Sequence, residues 1–122
     1  MQKNSIGLIE LSSIAAGFLV ADAMLKAADV EILLSRTICS GKYMVLVGGD
    51  VAAVTASVEA GTTIGEGAVI DTFIIPNVHA SLFPALGGSS TVTTLEALGI
   101  IESFSVATMI EAADAAAKAA NV

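Results

Sequence analysis

The sequence predicts an α+β protein of the ferredoxin-like split βαβ class, in which two helices cover one face of a four-stranded antiparallel sheet. Three observations lead to this prediction. The chain has 122 residues, the size of one ordinary domain or of a small domain plus a fragment. Its hydrophobic pattern gives the element order β-α-β-β-α-β over residues 5–75. The first two elements then recur near the end of the chain, so the same fold is expected to begin again there.

The first strand is predicted over Ser5–Leu11, a short apolar run with β-branched isoleucines, and two serines follow it as capping residues. A helix is then predicted over residues 14–28. Asp22 and Lys26 lie four positions apart on one of its faces, a favourable spacing for an ion pair. A separate stripe collects apolar residues, as in an amphipathic helix. The stripe consists of Ile14, Phe18, Ala21, Leu25 and Ala28.

A hairpin and a second helix are predicted next. Two runs with β-forming residues, 30–39 and 42–47, flank Ser40-Gly41, which is a compact turn signal. Asp50 is the expected N-cap of a helix over residues 51–64, which ends in a glycine-containing segment.

A fourth strand is predicted over residues 68–75, where a proline closes it, and one or two helical turns are expected over residues 79–86. The sequence therefore predicts a first domain over residues 1–86. Residues 87–96, rich in Gly, Ser and Thr, are predicted to form a linker. Residues 97–122 are predicted to form a partial second domain, with its first strand and helix only.

The repeat is the basis for that second domain. Residues 6–30 and 98–122 align without a gap at a constant offset, and about half of the positions are identical. Asp22 and Lys26, for example, recur as Asp114 and Lys118. Two alanine-rich helices that had become similar by chance would not also align the preceding strand and its glycine.

Composition excludes several classes of function. The formal net charge is −7, so the chain offers no basic surface for nucleic acid or anionic lipid. Hydrophobic residues make up 55% and charged residues only 14%, although a small domain has a large surface to keep in water. Charges, prolines and glycines interrupt every apolar stretch, which argues against a membrane span. The apolar surface therefore predicts an interface within an assembly. One cysteine and no secretory pattern indicate a cytosolic chain.

Four sequence motifs occur in a definite order: IGLIE at 6–10, DAMLKAADV at 22–30, GGDVAAV at 48–54 and IPNVH at 75–79. Together they resemble the shell-protein domain of bacterial microcompartments. The resemblance covers the chain once completely and once in part. It implies a structural shell protein in the cytoplasm, and no nucleophile with a base appears in the sequence, so an enzyme is not expected.

The tandem copy resembles those family members that form trimers with pseudo-sixfold symmetry. The hairpin TICSGK resembles that of tandem shell proteins of propanediol-utilisation compartments, where a cysteine on the trimer axis binds a [4Fe-4S] cluster. By this resemblance Cys39 of each of three chains is predicted to ligate a cluster that relays electrons or holds labile iron. Ile38, Cys39, Ser40 and Gly41 are predicted to line the central pore.

The same resemblance places Lys26 and His79 at the tile edge and makes other shell proteins and lumen enzymes the expected partners. Asn77-Val78 stands where single-domain members usually have Arg-Pro. Simpler readings stay open: Lys26 in an ordinary helical ion pair, His79 in a structural hydrogen bond, and Ser-Gly as a tight turn alone. A trimeric ferredoxin-like regulatory protein that binds a nucleotide between subunits is the alternative function, although it requires a long loop between the second and third strands.

Overall fold

The computed structural model describes residues 4–88 and 90–122. It divides into two compact units, one that ends at Asn77 and one that begins at Val78. The first three residues of the predicted first domain, and residue 89 of the predicted linker, lie outside the described residues.

The first unit contains a four-stranded sheet in the order β2-β3-β1-β4, and every neighbouring pair is antiparallel. The fold class predicted from the sequence is therefore confirmed. The central strands β1 and β3 are almost wholly buried, whereas β2 lies at an edge and is largely exposed or half-buried. The strands are β1 (Ser5–Leu11), β2 (Glu31–Cys39), β3 (Lys42–Gly49) and β4 (Val69–Ile75).

Two helices, α1 (Ile14–Ala27) and α2 (Val51–Gly65), connect these strands. Each begins where a side chain accepts a hydrogen bond from a free backbone amide of the first turn. The Ser13 hydroxyl accepts from Ala16 at 3.1 Å, and the Asp50 carboxylate accepts from Ala53 at 2.8 Å. A single 3-10 turn then leads from α2 into β4.

Both helices pack on the same face of the sheet and share one apolar core with the central strands. The core residues are Ile9, Leu11, Val20, Ala21, Met24, Tyr43, Val45, Val47, Val54 and Val58. Burial of the Ile, Leu, Val and Met side chains among them, at about 1.5–3 kcal/mol each, is the main contribution that stabilises the unit.

The face that α1 buries is not the stripe predicted from the sequence. Its buried residues are Gly17, Val20, Ala21 and Met24, whereas Phe18 of the predicted stripe is 66% exposed. The small size of Gly17 explains why this face is the buried one, because a side-chain carbon at position 17 would collide with the ring of Tyr43. Phe18, Leu19 and Leu25 therefore face outward although they are large and apolar. Close approach of the backbone at Gly17 decides which side of α1 meets the sheet.

One buried ion pair lies within the sheet. The side chain of Glu10 on β1 is fully buried, and its carboxylate accepts a hydrogen bond from Lys42 Nζ at 3.2 Å. Lys42 stands at the start of β3, next to the hairpin turn. The pair gives the buried carboxylate a compensating charge, which a group removed from water requires.

The second unit contains a short helix α3 (Leu82–Leu86) and a longer helix α4 (Val106–Ala119), which pack against each other. The helix predicted for the second copy is present, but the strand predicted before it is not formed. Residues 97–104 have no strand assignment and are exposed. A strand exists only when a neighbour takes up its backbone hydrogen bonds, and the four-stranded sheet includes none of these residues.

Candidate functional site

The β2–β3 hairpin ends in a small, solvent-exposed tip that contains all four predicted pore residues. Cys39 pairs with Lys42 across the hairpin, so only Ser40 and Gly41 form the turn. Gly41 has a φ of +78°, a left-handed conformation that residues with a side chain rarely adopt. Cys39, Ser40 and Gly41 are exposed and Ile38 is half-buried. The tip therefore presents short side chains to solvent at the end of two paired strands.

The predicted [4Fe-4S] cluster on Cys39 is wrong. Cys39 is an exposed free thiol and the only cysteine of the chain. Within residues 4–88 and 90–122, no group of three or more His, Cys, Asp or Glu could hold a metal ion. Such a cluster needs a full set of strong ligands, and the neighbours Ile38, Ser40 and Gly41 supply none. The prediction rested on the family resemblance and on the position of Cys39 at the hairpin tip, neither of which supplies further ligands.

The hairpin also bears on the alternative regulatory function. A regulator of that type requires a long loop between its second and third strands, with basic residues for phosphates. Here two residues connect β2 to β3. The tip is therefore too short to enclose a nucleotide.

Lys26 lies in the last turn of α1, on the outside of the first unit. Its Nζ contacts the Asp22 carboxylate at 2.7 Å, and the two side chains are 75% and 56% exposed. The ion pair predicted from the spacing is confirmed. An exposed pair of this kind stabilises a helix by only about 0.3–0.5 kcal/mol, so most of the lysine remains available for contacts outside the chain.

His79 belongs to the second unit and lies in a segment held by hydrogen bonds. Its backbone amide donates to Asp114 Oδ1 at 2.7 Å, and its Nδ1 accepts from the Ser81 amide at 3.2 Å. Its carbonyl accepts from the Leu82 amide at 3.0 Å. These contacts give the segment before α3 a defined conformation, which is the structural role that the sequence had left open for His79.

Asp114, which the sequence shows only as the repeat of Asp22, is a buried charged residue. It is 6% exposed, and its second oxygen lies 2.6 Å from Lys118 Nζ. Burial by itself would raise the pKa of this carboxyl group. The hydrogen bonds from Lys118 and from the His79 amide outweigh that effect, so the pKa of Asp114 lies below its ordinary value. An aspartate on an alanine-rich helix gives no sequence signal of such burial.

An apolar groove of about 560 Å³ lies within the second unit, on a side of α4 other than the one that carries Asp114. Its walls come from α3, from the segment around Val92 and from the alanines of α4. Lining residues include Leu82, Pro84, Val92, Ala113, Ala116 and Val122.

No helix of the described ranges is both long enough and apolar enough to cross a lipid bilayer.

The BMC domain family model matches residues 5–78 and again residues 97–122. The second range contains the repeated segment 98–122.

Individual proteins of known name are also similar. The bacterial microcompartment shell protein PduT of Citrobacter freundii is 48% identical over 118 residues, which is 97% of this chain and 64% of that protein. The shell protein PduA of Salmonella typhimurium is 36% identical over 84 residues, 67% of this chain and 89% of that protein. A solved microcompartment protein of Desulfitobacterium hafniense DCB superposes with a TM-score of 0.84 at 53% identity.

That solved structure covers 96% of this chain, and the chain spans 65% of it. The chain therefore spans slightly less than two thirds of the two relatives that it matches over nearly its whole length.

Proposed function

This chain belongs to the BMC-domain family, and we propose that it is a structural, non-enzymatic subunit of a bacterial microcompartment shell. The family match to both residues 5–78 and residues 97–122 carries this proposal. The division into a first domain over 1–86, a linker over 87–96 and a partial second domain over 97–122 is part of it. The named shell-protein relatives support the same role.

The exposed apolar surface supports a role in an assembly. Several large apolar side chains of α1 and α2 are exposed, with Phe18 the most exposed of them. Apolar surface has a lower free energy when it is buried against a neighbouring chain than when it is exposed to water, and this small chain has few charges to cover it. In our proposal these neighbours are copies of the same fold, and two BMC copies per chain form a trimeric, pseudo-hexagonal tile with other shell proteins around it and lumen enzymes on one side.

Within the tile, Ile38, Cys39, Ser40 and Gly41 are proposed to line a central opening. The two-residue turn and the short side chains at its tip support this assignment, since they leave room when several copies meet around an axis. The resemblance of the hairpin to propanediol-utilisation shell proteins supports a compartment of that kind.

Lys26 and His79 are proposed to lie at the edge where tiles meet. The support for Lys26 is its exposure at the end of α1, where its long aliphatic part can cover apolar surface while the ammonium group finds carbonyl oxygens. For His79 the support is its half-buried side chain in a segment of fixed conformation.

Electron microscopy of the concentrated protein tests the proposal. The wild-type chain is expected to form sheets or tubes. Lys26→Asp is expected to remain folded by circular dichroism but to form no extended arrays, because it places a carboxylate at the tile edge. Arg36→Asp on β2 makes the same change of charge elsewhere and is the matched control, which is expected to assemble. Wild-type protein that stays monomeric at all concentrations would contradict the shell role, and arrays of Lys26→Asp would contradict the edge assignment.

A further inference from the structure

Residues 98–103, which we call the exposed segment, present large apolar side chains to solvent in the second unit. Leu98, Ile100 and Ile101 are all more than half exposed, and the segment has no strand assignment. By the repeat it corresponds to residues 6–11 of β1, which are buried throughout and pair with a strand on each side. A residue pattern that forms a central strand in the first unit therefore has no strand neighbour among the described residues of the second.

The groove on α4 is the counterpart of the helix face that β1 covers in the first unit. Its residues Ala113 and Ala116 correspond to Ala21 and Met24 of α1. Those two are buried in one core with Ile9 of β1, and the side chains of Ile9 and Met24 reach the same point on the surface of α2. In α4 the same face is open, since Ala113 is exposed and Ala116 is only half-buried.

Helix α4 buries another face instead, which contains Ala107, Ile110 and Asp114. In the repeat these positions lie two residues away from the buried positions of α1, which is about 200° around a helix. The groove side of α4 thus keeps the pattern of a face that a strand covers, while its opposite side makes the contacts within the unit.

The exposed segment and the groove match in charge and in period. None of the described residues that line the groove is charged. Successive side chains of a strand point to opposite sides, so Gly99, Ile101 and Ser103 share an uncharged side, and Glu102 lies on the other. Ile101 is the repeat of Ile9, the strand residue that packs on the helix face in the first unit. The uncharged side of the segment therefore suits the groove.

A second copy of the chain is the occupant that these observations favour. Within one chain the segment leaves the groove open, although only Phe104 and Ser105 separate it from α4. A single strand laid on a helix would also leave its amides and carbonyls without partners. A second, identical segment can pair with it and take up the backbone groups along one edge of each.

We propose that two copies of the chain exchange their exposed segments. The segments pair antiparallel, with Ile101 opposite the partner's Ile101, and each Ile101 enters the groove of the other chain. The contact buries apolar surface of both chains, and because the same surface is used twice it closes at two copies. The inference goes beyond the proposed shell role and uses a surface other than the edge that contains Lys26.

Disulfide trapping between two copies of the full chain tests the exchange. One copy carries Ile101→Cys and the other Ala113→Cys, both with Cys39→Ser to remove the native thiol, and mild oxidation is expected to link them. Ile100→Cys in place of Ile101→Cys is the matched control, because this neighbouring isoleucine is more exposed but lies on the opposite side of the segment. Its yield is expected to be about tenfold lower, since only a thiol held in the groove has a high effective concentration. Equal yields at positions 100 and 101, in chains that circular dichroism shows to be folded, would overturn the proposal.

A second experiment separates exchange from docking within one chain. A single chain that carries Ile101→Cys, Ala113→Cys and Cys39→Ser is oxidised alone and again with about a tenfold excess of the Cys39→Ser chain. Exchange predicts linked pairs of chains in the first case. It predicts about a tenfold loss of them in the second, because most partners then have no thiol. A link within one chain, unchanged by the excess, would refute the exchange.

The result is independent of tile formation. Adding Lys26→Asp to both cysteine chains is expected to leave the cross-link intact, since the tile edge is a different surface. Absence of the cross-link in a protein that still forms sheets would count against the exchange alone. A cross-link in a protein whose wild-type chain never forms arrays would count against the shell role alone and support the exchange.

Discussion

Helices α1 and α4 are two copies of one sequence pattern placed in two surroundings. Each has 14 residues, begins after a serine that accepts a hydrogen bond from the amide three positions on, and ends at an alanine with extended backbone. Their buried faces nevertheless point in nearly opposite directions. The comparison shows that local residues determine where a helix starts and stops, whereas the neighbouring elements determine which side it buries.

The strands before these helices differ in the same way. Strand β1 lies in the middle of the sheet and Glu10 is fully buried, but the repeated segment forms no strand and Glu102 is exposed. Similar residues are thus a core strand in one place and an exposed segment in the other. Burial in this protein belongs to the position in the fold and not to the repeat.

Exchanging the residues at the fourth position of the two helices should break the comparison most strongly. Gly17→Met gives α1 the residue that α4 has at position 109. It is expected to destabilise the first unit by about 3 kcal/mol, because the added side chain collides with the buried ring of Tyr43. Met109→Gly, the reverse exchange in α4, should cost only about 1 kcal/mol from lower helix propensity. Denaturant unfolding of both variants measures the difference, and equal losses would contradict it.

Replacing the equivalent aspartates Asp114 and Asp22 by alanine should give a smaller difference in stability. Asp114→Ala removes the charged acceptor of the His79 amide and is expected to lower the stability of the second unit by about 2 kcal/mol. Hydrogen exchange of that amide should then be about 30-fold faster. Asp22→Ala removes only an exposed ion pair and should change stability by less than about 0.5 kcal/mol. Hydrogen exchange by NMR gives both values. Similar effects at the two positions would show that the repeat, and not burial, sets the role of the aspartate.

The pH dependence of Asp114 is the smallest expected effect. Because its pKa in the folded chain lies below the ordinary value of 3.8, the carboxylate stabilises the second unit at pH values above 3.8. That stabilisation is lost as the pH falls through the lowered pKa, when the group is protonated. Protection of the His79 amide should therefore decrease only in strongly acidic solution, and Asp114→Asn should remove this dependence. Protection that already falls near neutral pH would contradict the assignment.

Much of the fold could be predicted because its signals are local. Ser40-Gly41 marks the hairpin turn and Asp50 marks the start of α2, and both predictions agree with the structure to within a residue or two. The buried face of α1 could not be predicted in this way, because the stripe of large residues such as Phe18 outweighed the small Gly17 in the hydrophobic pattern.

The candidate site was predicted less well than the fold. The cluster on Cys39 was transferred from a family resemblance to a chain whose own residues supply one thiol. Asp114 was missed for a different reason, since its burial depends on a hydrogen bond to a residue 35 positions away in the chain. Long-range contacts of this kind leave no periodic signal in the sequence.

The ion pair between Glu10 and Lys42 fixes the alignment of the two central strands. A slip of β3 by one residue along β1 would turn Lys42 toward the opposite side of the sheet. The buried carboxylate would then lose this cation, which is unfavourable for a charge removed from water. The two charges therefore act as a register lock, which disfavours a shifted pairing of β1 and β3.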